Sequence, residues 1–513
     1  MTSSGRSSAS AVAATPLQGD YTNLGDVLVA AAAQHGELEA YVDGERRMSF
    51  AAWERASSGL AAALVERGVR PGDVVAIYLP SSIEYAVTYG AVALVGGVAT
   101  GINPRLGPRE VTSILDRAEP KLLVRDLSLG GPPSPGDLPV FNQTELLAAC
   151  RGPRLHDRGP LPSLKDPAAI IWTSGTTGVP KGAWFDHRAL AAAVRTAGVM
   201  SAPYDRRLIG TPFPHAGYMA KLWDQLAWGS TIVISPTPWT AAAMRRLMVD
   251  ERITVAGGVP TQWAKLLEQT GLDEDDFSHL RLCLSATAPA APELVERVTS
   301  RLGCPMVVRY AMTESPSITG TDPTDPPEVM FRTVGRPQAG VEVTLVGEGG
   351  SPVGKGEVGR VRVKGPCVMR GYWRDPELTA QVLDADGWLT SSDLGYIDPQ
   401  GNLVLVGRSN DLYIRGGYNV YPLEVENALA EHPGVDRAAV VGLAAPVIGE
   451  IGVAFVVPVD PAAPPSLDAL REWTRQRLAD YKAPDRLELV DDLPLTPMAK
   501  IDKAELSRRL AQP

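Results

Sequence analysis

The chain has 513 residues, of which 44% are hydrophobic and 21% are charged, and its formal net charge is −10. This length predicts roughly two to four domains, and the composition is typical of a soluble globular protein. The modest acidic charge and the lack of a basic run exclude a dedicated nucleic-acid-binding protein. Four cysteines without a paired spacing argue against a disulfide framework or a zinc site, and no apolar stretch is long enough for a membrane span.

The first 20 residues are rich in serine, alanine, threonine and glycine, and they lack a continuous apolar segment. This composition predicts a disordered tail rather than a signal peptide. We therefore expect the protein to be cytoplasmic.

Residues 21–124 alternate helical and strand patterns. Asn23 precedes a helical segment, residues 51–67 are typical of an amphipathic helix, residues 73–79 of a short buried strand, and residues 83–95 of another helix. Helices and strands at this spacing predict βαβ units and a mostly parallel sheet.

A second α/β region is predicted over residues 168–308. A β-rich region follows over residues 334–396, where short strand patterns are separated by glycine and proline. The remaining chain is mixed, with helices predicted at residues 423–431 and 467–479. A proline-rich segment, residues 458–465, separates these two helices.

The most informative segment is a loop of small residues that follows the predicted strand at residues 168–172. It reads Thr-Ser-Gly-Thr-Thr-Gly-Val-Pro-Lys-Gly over residues 173–182. Backbone N–H groups and hydroxyls in such a loop can close around phosphate oxygens, and Lys181 adds a cation. Two residues separate Gly178 from Lys181, so the loop is not a Walker A motif. It also lacks the glycine pattern of a dinucleotide-binding fold.

This loop resembles the signature of the adenylate-forming superfamily, which includes acyl-CoA synthetases, peptide-synthetase adenylation domains and beetle luciferases. The similarity continues in the expected order along nearly the whole chain. The further matching segments are residues 71–80, 101–106, 253–260, 310–314, 334–337, 391–394, 407–426 and 494–503.

The resemblance implies an α/β fold in two parts. A large N-terminal domain, residues 21–407, would contain two doubly wound α/β subdomains and a β-rich subdomain. A small mobile α+β domain, residues 408–513, would act as a lid with its hinge near Asn410. Two orientations of this lid would serve two successive reactions.

The implied activity is ATP-dependent activation of a carboxylic acid to acyl-AMP, with Mg²⁺, and transfer of the acyl group to a thiol. Coenzyme A is favoured because residues 415–422 look most like the acyl-CoA synthetase version of that segment. Transfer to an acyl carrier protein or a separate thiolation partner remains open, as does a non-catalytic nucleotide-binding role. The acid cannot be identified from the sequence, and a monomer and a homodimer are both open.

By the same resemblance, Lys500 is the catalytic lysine of adenylation, Thr313 contacts the α-phosphate, and Glu314 holds Mg²⁺. Asp393 would accept hydrogen bonds from the ribose hydroxyls, with Arg408 as its partner. The implied nucleotide-binding residues, among which Tyr310 would stack beside adenine, are Thr173, Ser174, Gly175, Thr176, Thr177, Gly178, Lys181, Thr287, Ala288, Pro289, Tyr310, Ala311, Met312, Asp393 and Arg408.

Two further groups of residues are implied. The acyl pocket would be lined by His215, Ala216, Gly217, Gly258 and Arg309. His215 is either a catalytic residue near the ATP phosphates or an ordinary packed histidine, and Arg309 could pair with a second carboxylate of the acid. The coenzyme A tunnel would be lined by Arg415, Gly416 and Gly417, because glycine permits close backbone approach.

Several positions depart from the pattern of the superfamily. Asn410 stands where Asp or Lys is usual, and Ala311, Ser392 and Ala499 each replace a glycine. Residues 285–289 read Ser-Ala-Thr-Ala-Pro where Ser-Gly-Gly-Ala-Pro is common. We therefore hypothesise that adenylation is intact while thiolation is slowed or uses another acceptor.

Overall fold

A computed structural model of the chain describes residues 16–129, 137–173, 179–286, 290–347, 349–416, 418–496 and 500–511. In these ranges every helix is too short or too polar to traverse a lipid bilayer.

The α-helices lie mainly in the N-terminal two thirds of the chain. In chain order they are α1 (Leu24–His35), α2 (Phe50–Glu66), α3 (Ile83–Val95), α4 (Pro108–Ala118), α5 (Gln143–Ala149), α6 (His187–Ala191), α7 (Ala193–Thr196), α8 (Ala216–Met219), α9 (Leu222–Trp228), α10 (Ala241–Asp250), α11 (Pro260–Leu267), α12 (Pro292–Leu302), α13 (Pro327–Arg332), α14 (Pro376–Val382), α15 (Pro422–Ala430), α16 (Leu467–Arg475) and α17 (Lys503–Ala511).

The strands are short except in the C-terminal region. In chain order they are β1 (Glu39–Asp43), β2 (Arg46–Ser49), β3 (Val74–Tyr78), β4 (Val98–Gly101), β5 (Leu122–Arg125), β6 (Val140–Asn142), β7 (Pro167–Thr173), β8 (Lys181–Asp186), β9 (Arg206–Ile209), β10 (Thr231–Ile234), β11 (Val255–Gly258), β12 (Leu282–Ser285), β13 (Met306–Met312), β14 (Ser315–Gly320), β15 (Arg336–Pro337), β16 (Glu342–Val346), β17 (Gly359–Lys364), β18 (Gly371–Tyr372), β19 (Leu389–Ile397), β20 (Leu403–Arg408), β21 (Tyr413–Arg415), β22 (Tyr418–Val420), β23 (Val435–Ala445), β24 (Gly449–Pro458) and β25 (Arg486–Leu489).

The early predicted elements are confirmed, and local chemistry explains their ends. The side chain of Asn23 accepts a hydrogen bond from the N–H of Asp26 and thereby caps α1. Ser82 caps α3 in the same way, and Gly96 ends that helix with a positive φ of 76°. Every residue of α3 is buried, because the helix packs against both α1 and α2.

Two large mixed sheets form the N-terminal part. One has the order β18-β8-β7-β4-β3-β5-β6, and the other has the order β15-β14-β13-β12-β11-β9-β10-β1-β2. The strands at the centre of each sheet are parallel. Antiparallel strands lie at both edges of the nine-stranded sheet and at the β18–β8 edge of the seven-stranded sheet, whose other edge strand, β6, is parallel to β5. The predicted α/β class with mostly parallel sheets is confirmed.

The division between the two sheets differs from the order of the predicted regions. Strands β1 and β2 lie within the first predicted region, residues 21–124, yet β1 pairs with β10 of the nine-stranded sheet. Strands β7 and β8 lie within the second predicted region, residues 168–308, yet they join the seven-stranded sheet through β4. The chain therefore crosses between the sheets, which periodicity within a single segment cannot reveal.

The predicted β-rich region is confirmed as an antiparallel sheet of the order β16-β17-β19-β20. This sheet matters for the site because it pairs Asp393 of β19 directly with Arg408 at the end of β20.

The C-terminal part contains a sheet that sequence reasoning described incompletely. The two predicted helices are present as α15 and α16, but the long hairpin β23–β24 lies between them. Its turn contains Pro446, Val447 and Ile448, with Val447 at a φ of 73°. The turn lacks the Asn-Gly or Asp-Gly pair that usually marks a hairpin, so the hairpin was not predicted.

Candidate active site

A tyrosine, an aspartate and an arginine from three strands meet at one point. The hydroxyl of Tyr310, on β13, donates to Oδ2 of Asp393 over 2.6 Å. Nε of Arg408 donates to Oδ1 of the same carboxylate over 3.0 Å. Burial raises the pKa of the Tyr310 hydroxyl, and the neighbouring carboxylate raises it further, so Tyr310 remains a donor at neutral pH.

Glu314 lies in the tight turn between β13 and β14, directly after Thr313. Its Oε1 accepts a hydrogen bond of 2.8 Å from the hydroxyl of Tyr372. The ammonium of Lys181 lies 5.7 Å from the centre of the Tyr372 ring. Tyr372 thus links the predicted metal-binding carboxylate with the predicted phosphate-binding lysine.

Sequence reasoning missed Tyr372. It lies on the two-residue strand β18, which pairs with β8 and so stands beside Lys181. The only sequence signal was the aromatic pair of Tyr372 and Trp373 after Gly371, which is also typical of an ordinary buried turn.

Lys500 lies in a tight loop of the C-terminal region. The N–H of Thr496 donates to the carbonyl of Lys500 over 2.7 Å, and Leu495 forms an isolated bridge with Ile501. The pKa of Lys500 is lowered to about 8, mainly by burial and also by the Arg408 cation, while the carboxylates of Asp393 and Glu314 oppose that shift. The charges that act on Lys500 therefore include the residues predicted to bind ribose and Mg²⁺.

His215 also lies near Lys500. It caps α8, with its Nδ1 accepting a hydrogen bond of 3.3 Å from the N–H of Gly217. The pKa of His215 is lowered to about 4, mainly by burial and also by the Lys500 ammonium. The imidazole is therefore neutral at physiological pH and adds no competing charge beside the lysine.

The pKa of Lys500 gives a prediction for the pH dependence of the first reaction. Because only the protonated amine can neutralise developing negative charge, kcat/KM for adenylation should fall as pH rises through about 8. In Lys500→Arg this alkaline limb should disappear, since a guanidinium stays protonated to a pKa above about 12. Pyrophosphate release measured from about pH 6 to 10 tests this. An identical alkaline limb in Lys500→Arg would contradict the assignment.

A cavity of about 220 Å³ lies beside these groups, between the nine-stranded sheet and helices α8 and α9. All five residues predicted for the acyl pocket line it, together with Tyr310, Ala311 and Met312. Gly258 in this wall packs closely on buried Trp263, because a Cβ there would come within 2.9 Å of Nε1 of Trp263. His215 connects this cavity with the surroundings of Lys500.

Two basic side chains of the cavity wall are chemically unusual. Arg309 donates from Nη2 to the carbonyl of Ala197 over 2.7 Å, and burial lowers its pKa to about 10. Lys221 lines the same cavity, and burial lowers its pKa too. Sequence reasoning missed Lys221, although a lysine within the apolar segment 216–228 could have marked it.

The predicted coenzyme A residues stand apart from the nucleotide cluster. Arg415 forms a bidentate ion pair with Asp485, at 2.8 and 2.7 Å, within the C-terminal part. Gly416 has a φ of 57°, and its N–H donates to the carbonyl of Ile448. Asn410 is exposed, two residues after Arg408.

Some predicted residues lie outside the described residues. Thr173 and Lys181 face each other at the end of the β7–β8 hairpin, so the predicted phosphate loop is flanked on both sides. The positions about which nothing further is stated are Ser174, Gly175, Thr176, Thr177, Gly178, Thr287, Ala288, Pro289, Gly417 and Ala499.

Comparisons with known proteins agree with this geometry. A family model described as AMP-binding enzyme matches residues 28–373, and one described as AMP-binding enzyme C-terminal domain matches residues 424–500. A propanoyl:CoA ligase of Rhodococcus jostii (strain RHA1), whose acid carries a methyl-dioxo-octahydroindenyl group, is 34% identical; the match covers 94% of this chain and 98% of that relative.

A feruloyl-CoA synthase of an Amycolatopsis species is 35% identical, and the match covers 91% of this chain and 94% of that relative. Among solved structures, ATP-bound MatB from Rhodopseudomonas palustris superposes with a TM-score of 0.86 at 29% identity. That superposition covers 96% of this chain and 99% of MatB.

Proposed function

Because the chain belongs to the family of AMP-binding enzymes, we propose that this site activates a carboxylic acid with ATP and passes the acyl group to coenzyme A. The chain is accordingly an AMP-forming acid–thiol ligase. The observation that carries the proposal is the hydrogen-bonded cluster of Tyr310, Asp393 and Arg408, whose charges act on Lys500, next to the cavity that His215 lines.

The first half-reaction converts the carboxylate of the acid, which is a poor electrophile, into a reactive acyl-AMP. A carboxylate oxygen of the acid attacks the α-phosphorus of ATP, the bond to the bridging oxygen breaks, and pyrophosphate leaves. Negative charge is crowded at the α-phosphate in this step, and a positioned ammonium stabilises it. Lys500 supplies that ammonium, since a pKa of about 8 leaves it mostly protonated at pH 7.

The nucleoside is held by the cluster around Asp393. A carboxylate can accept hydrogen bonds from both ribose hydroxyls, because each of its oxygens has two lone pairs. Tyr310 and Arg408 each use one lone pair and fix the orientation of the carboxylate. Tyr310 also lines the acyl cavity, so it lies where the adenine and the acid adjoin.

The residues present fit a magnesium ion bound together with the nucleotide. Mg²⁺ commonly takes one or two carboxylates and completes its shell with phosphate oxygens and water. Glu314 offers Oε2, because the hydrogen bond from Tyr372 uses only Oε1. No cluster of three or more metal-binding side chains occurs in the described ranges. When bound, Mg²⁺ would screen the phosphate charges.

The second half-reaction needs a different arrangement. The thiolate of coenzyme A attacks the acyl carbon, a thioester bond forms, and AMP leaves with the electrons of the broken acyl–phosphate bond. In the orientation described here Lys500 faces the nucleotide cluster while Arg415 is paired with Asp485. A pivot of the C-terminal part, residues 408–513, at exposed Asn410 would exchange these two faces.

The experiment is product analysis by mass spectrometry after incubation with ATP, Mg²⁺, coenzyme A and a pool of diverse acids. We expect both pyrophosphate and an acyl-CoA. We also expect acyl-AMP to form faster than acyl-CoA if the departures at Ala311, Ser392 and Ala499 slow thiolation. Acyl-CoA formation that keeps pace with adenylation would contradict slowed thiolation, and the absence of any acyl product would contradict the ligase.

A further inference from the structure

The wall of the acyl cavity carries more positive than negative charge. Arg207, Lys221 and Arg309 line the cavity, and Asp224 is the carboxylate that faces them. Asp224 is already engaged, because Nη1 of Arg207 donates to its Oδ2 over 2.6 Å. The hydroxyl of Ser201 lies 2.8 and 3.0 Å from the two oxygens of the same carboxylate.

Several donors of this wall have no acceptor within the described part of the chain. Nε and Nη2 of Arg207 and Nε of Arg309 are buried and unpaired. Asp205 lies 3.8 Å from Nη2 of Arg207, beyond hydrogen-bonding distance, and two short hydrogen bonds hold it to Arg281. For Lys221, likewise, the described residues provide no ion pair or side-chain hydrogen bond to the ammonium. Buried donors are normally paired, so an unpaired group of them indicates a missing partner.

The charge state of the wall favours an anion as that partner. Arg309, with a pKa of about 10, keeps its proton at neutral pH. Burial is the largest cause that lowers the pKa of Lys221, and the cations of Arg309 and Arg207 lower it as well. A bound anion would reverse both effects by supplying opposite charge and acceptors together.

The wall is distinct from the nucleotide-binding cluster. The acidic and basic groups that shift the pKa of Lys221 include Asp224, Arg309 and Arg207. The charged groups that shift the pKa of Lys500 are Arg408, Asp393 and Glu314, and neither Lys221 nor its neighbours are among them. Within the cavity wall, the Lys500 charge acts on His215, whereas Lys221 lies among Asp224, Arg309 and Arg207.

We propose that the acid activated by this enzyme carries a second oxyanion, a carboxylate or a sulfonate, which binds the ammonium of Lys221 beside the guanidinium groups of Arg207 and Arg309. The inference rests on the proposed function, since the same cavity must hold the acid during adenylation. The first carboxylate of the acid lies toward Lys500 and is activated there. A neutral acyl group would leave the wall with unpaired buried charges, which is unfavourable.

The test compares matched pairs of acids in pyrophosphate release and thioester formation. Each pair is an aliphatic dicarboxylic acid and its monoamide, which differ in one charge but little in shape, and a series of ω-sulfo acids forms the second arm. We expect wild-type kcat/KM to favour the doubly charged member by about 10-fold or more, the value of a charge-assisted hydrogen bond. A preference confined to the sulfo acids would identify sulfonate as the oxyanion, and one confined to the diacids would identify carboxylate.

Variants at Lys221 locate the contact. Lys221→Met should lower the preference for the charged member by about 10-fold, through KM rather than kcat, and leave the monoamide nearly unchanged. Lys221→Arg should restore the preference. Lys265→Met is the matched control, because Lys265 is a surface lysine that lies 3.6 Å from Asp492. Thermal unfolding of each variant checks that the fold is retained.

These assays distinguish failure of the second-oxyanion proposal from failure of the proposed ligase function. Thioester formation in which monoamides match or exceed the doubly charged acids would overturn the inference and leave the ligase standing. An unchanged preference in a folded Lys221→Met variant would also overturn it. If no acid of either kind gave pyrophosphate or thioester, both would be overturned.

Discussion

Replacing Lys500 with alanine should lower the rate of adenylation by about 10²- to 10³-fold, the usual effect of removing one positioned donor at developing charge. The reason is that the charges of Glu314, Asp393 and Arg408 act on the Lys500 ammonium, as expected for a group beside the nucleotide cluster. Pyrophosphate release with ATP and a substrate acid measures this half-reaction. Supplying synthetic acyl-AMP and coenzyme A measures the second half-reaction alone.

The second half-reaction should stay within a few-fold of wild type in Lys500→Ala, because Lys500 would leave the site when the C-terminal part pivots. Lys503→Met is the matched control: Lys503 is three residues away and forms an ion pair of 2.6 Å with Glu426. Its loss should change neither half-reaction, since partly exposed ion pairs contribute little. Equal loss of both half-reactions in Lys500→Ala would contradict a role limited to adenylation.

Replacing Asp393 with asparagine should raise the KM for ATP by about 10- to 100-fold, because charge-assisted hydrogen bonds to the ribose become neutral ones. Asparagine keeps the shape of the side chain, and its amide oxygen can still accept from Tyr310. The Arg408 guanidinium loses its anion but is 55% exposed, so water can solvate it and the fold should be retained. Steady-state kinetics and calorimetric titration with ATP measure the effect.

Asp384→Asn is the control for Asp393→Asn. Asp384 belongs to the same part of the chain and pairs with Arg362, but its side chain is 43% exposed and lies outside the nucleotide cluster. The control should therefore bind ATP as wild type does. An unchanged KM for ATP in Asp393→Asn would exclude a contact between that carboxylate and the ribose.

Motifs allowed the sequence to predict much of the candidate site. The tight turn of Thr313 and Glu314 depends on a few consecutive residues, and Asp393 pairs with Arg408 across adjacent strands only 15 positions apart. Such local segments carry their chemistry with them, because register and turn geometry are set within the segment. Lys500 could be predicted as a site residue only from its motif, because nothing else in the local sequence distinguishes it from an ordinary lysine near a C terminus.

Side-chain partners between distant segments were not predictable. Tyr372 reaches Glu314 across 58 positions of the chain, and the two-residue strand that carries it has no strand periodicity. The predicted role of Arg309 was also incomplete, because its bond to the carbonyl of Ala197 spans 112 positions. Neither contact leaves a pattern in the residues that surround it.

The sequence by itself determined the α/β class, the early helices and strands and the β-rich region, and it predicted the candidate nucleotide-binding segments. These follow from periodicity, caps and short ordered motifs, all of which are local. Only the tertiary structure decided that β1 crosses to the second sheet, that a hairpin lies between α15 and α16, and that Lys221 faces an acyl cavity without a partner. The physical reason is that burial, pairing and charge compensation depend on what the rest of the chain brings near a residue, and one-dimensional patterns do not record it.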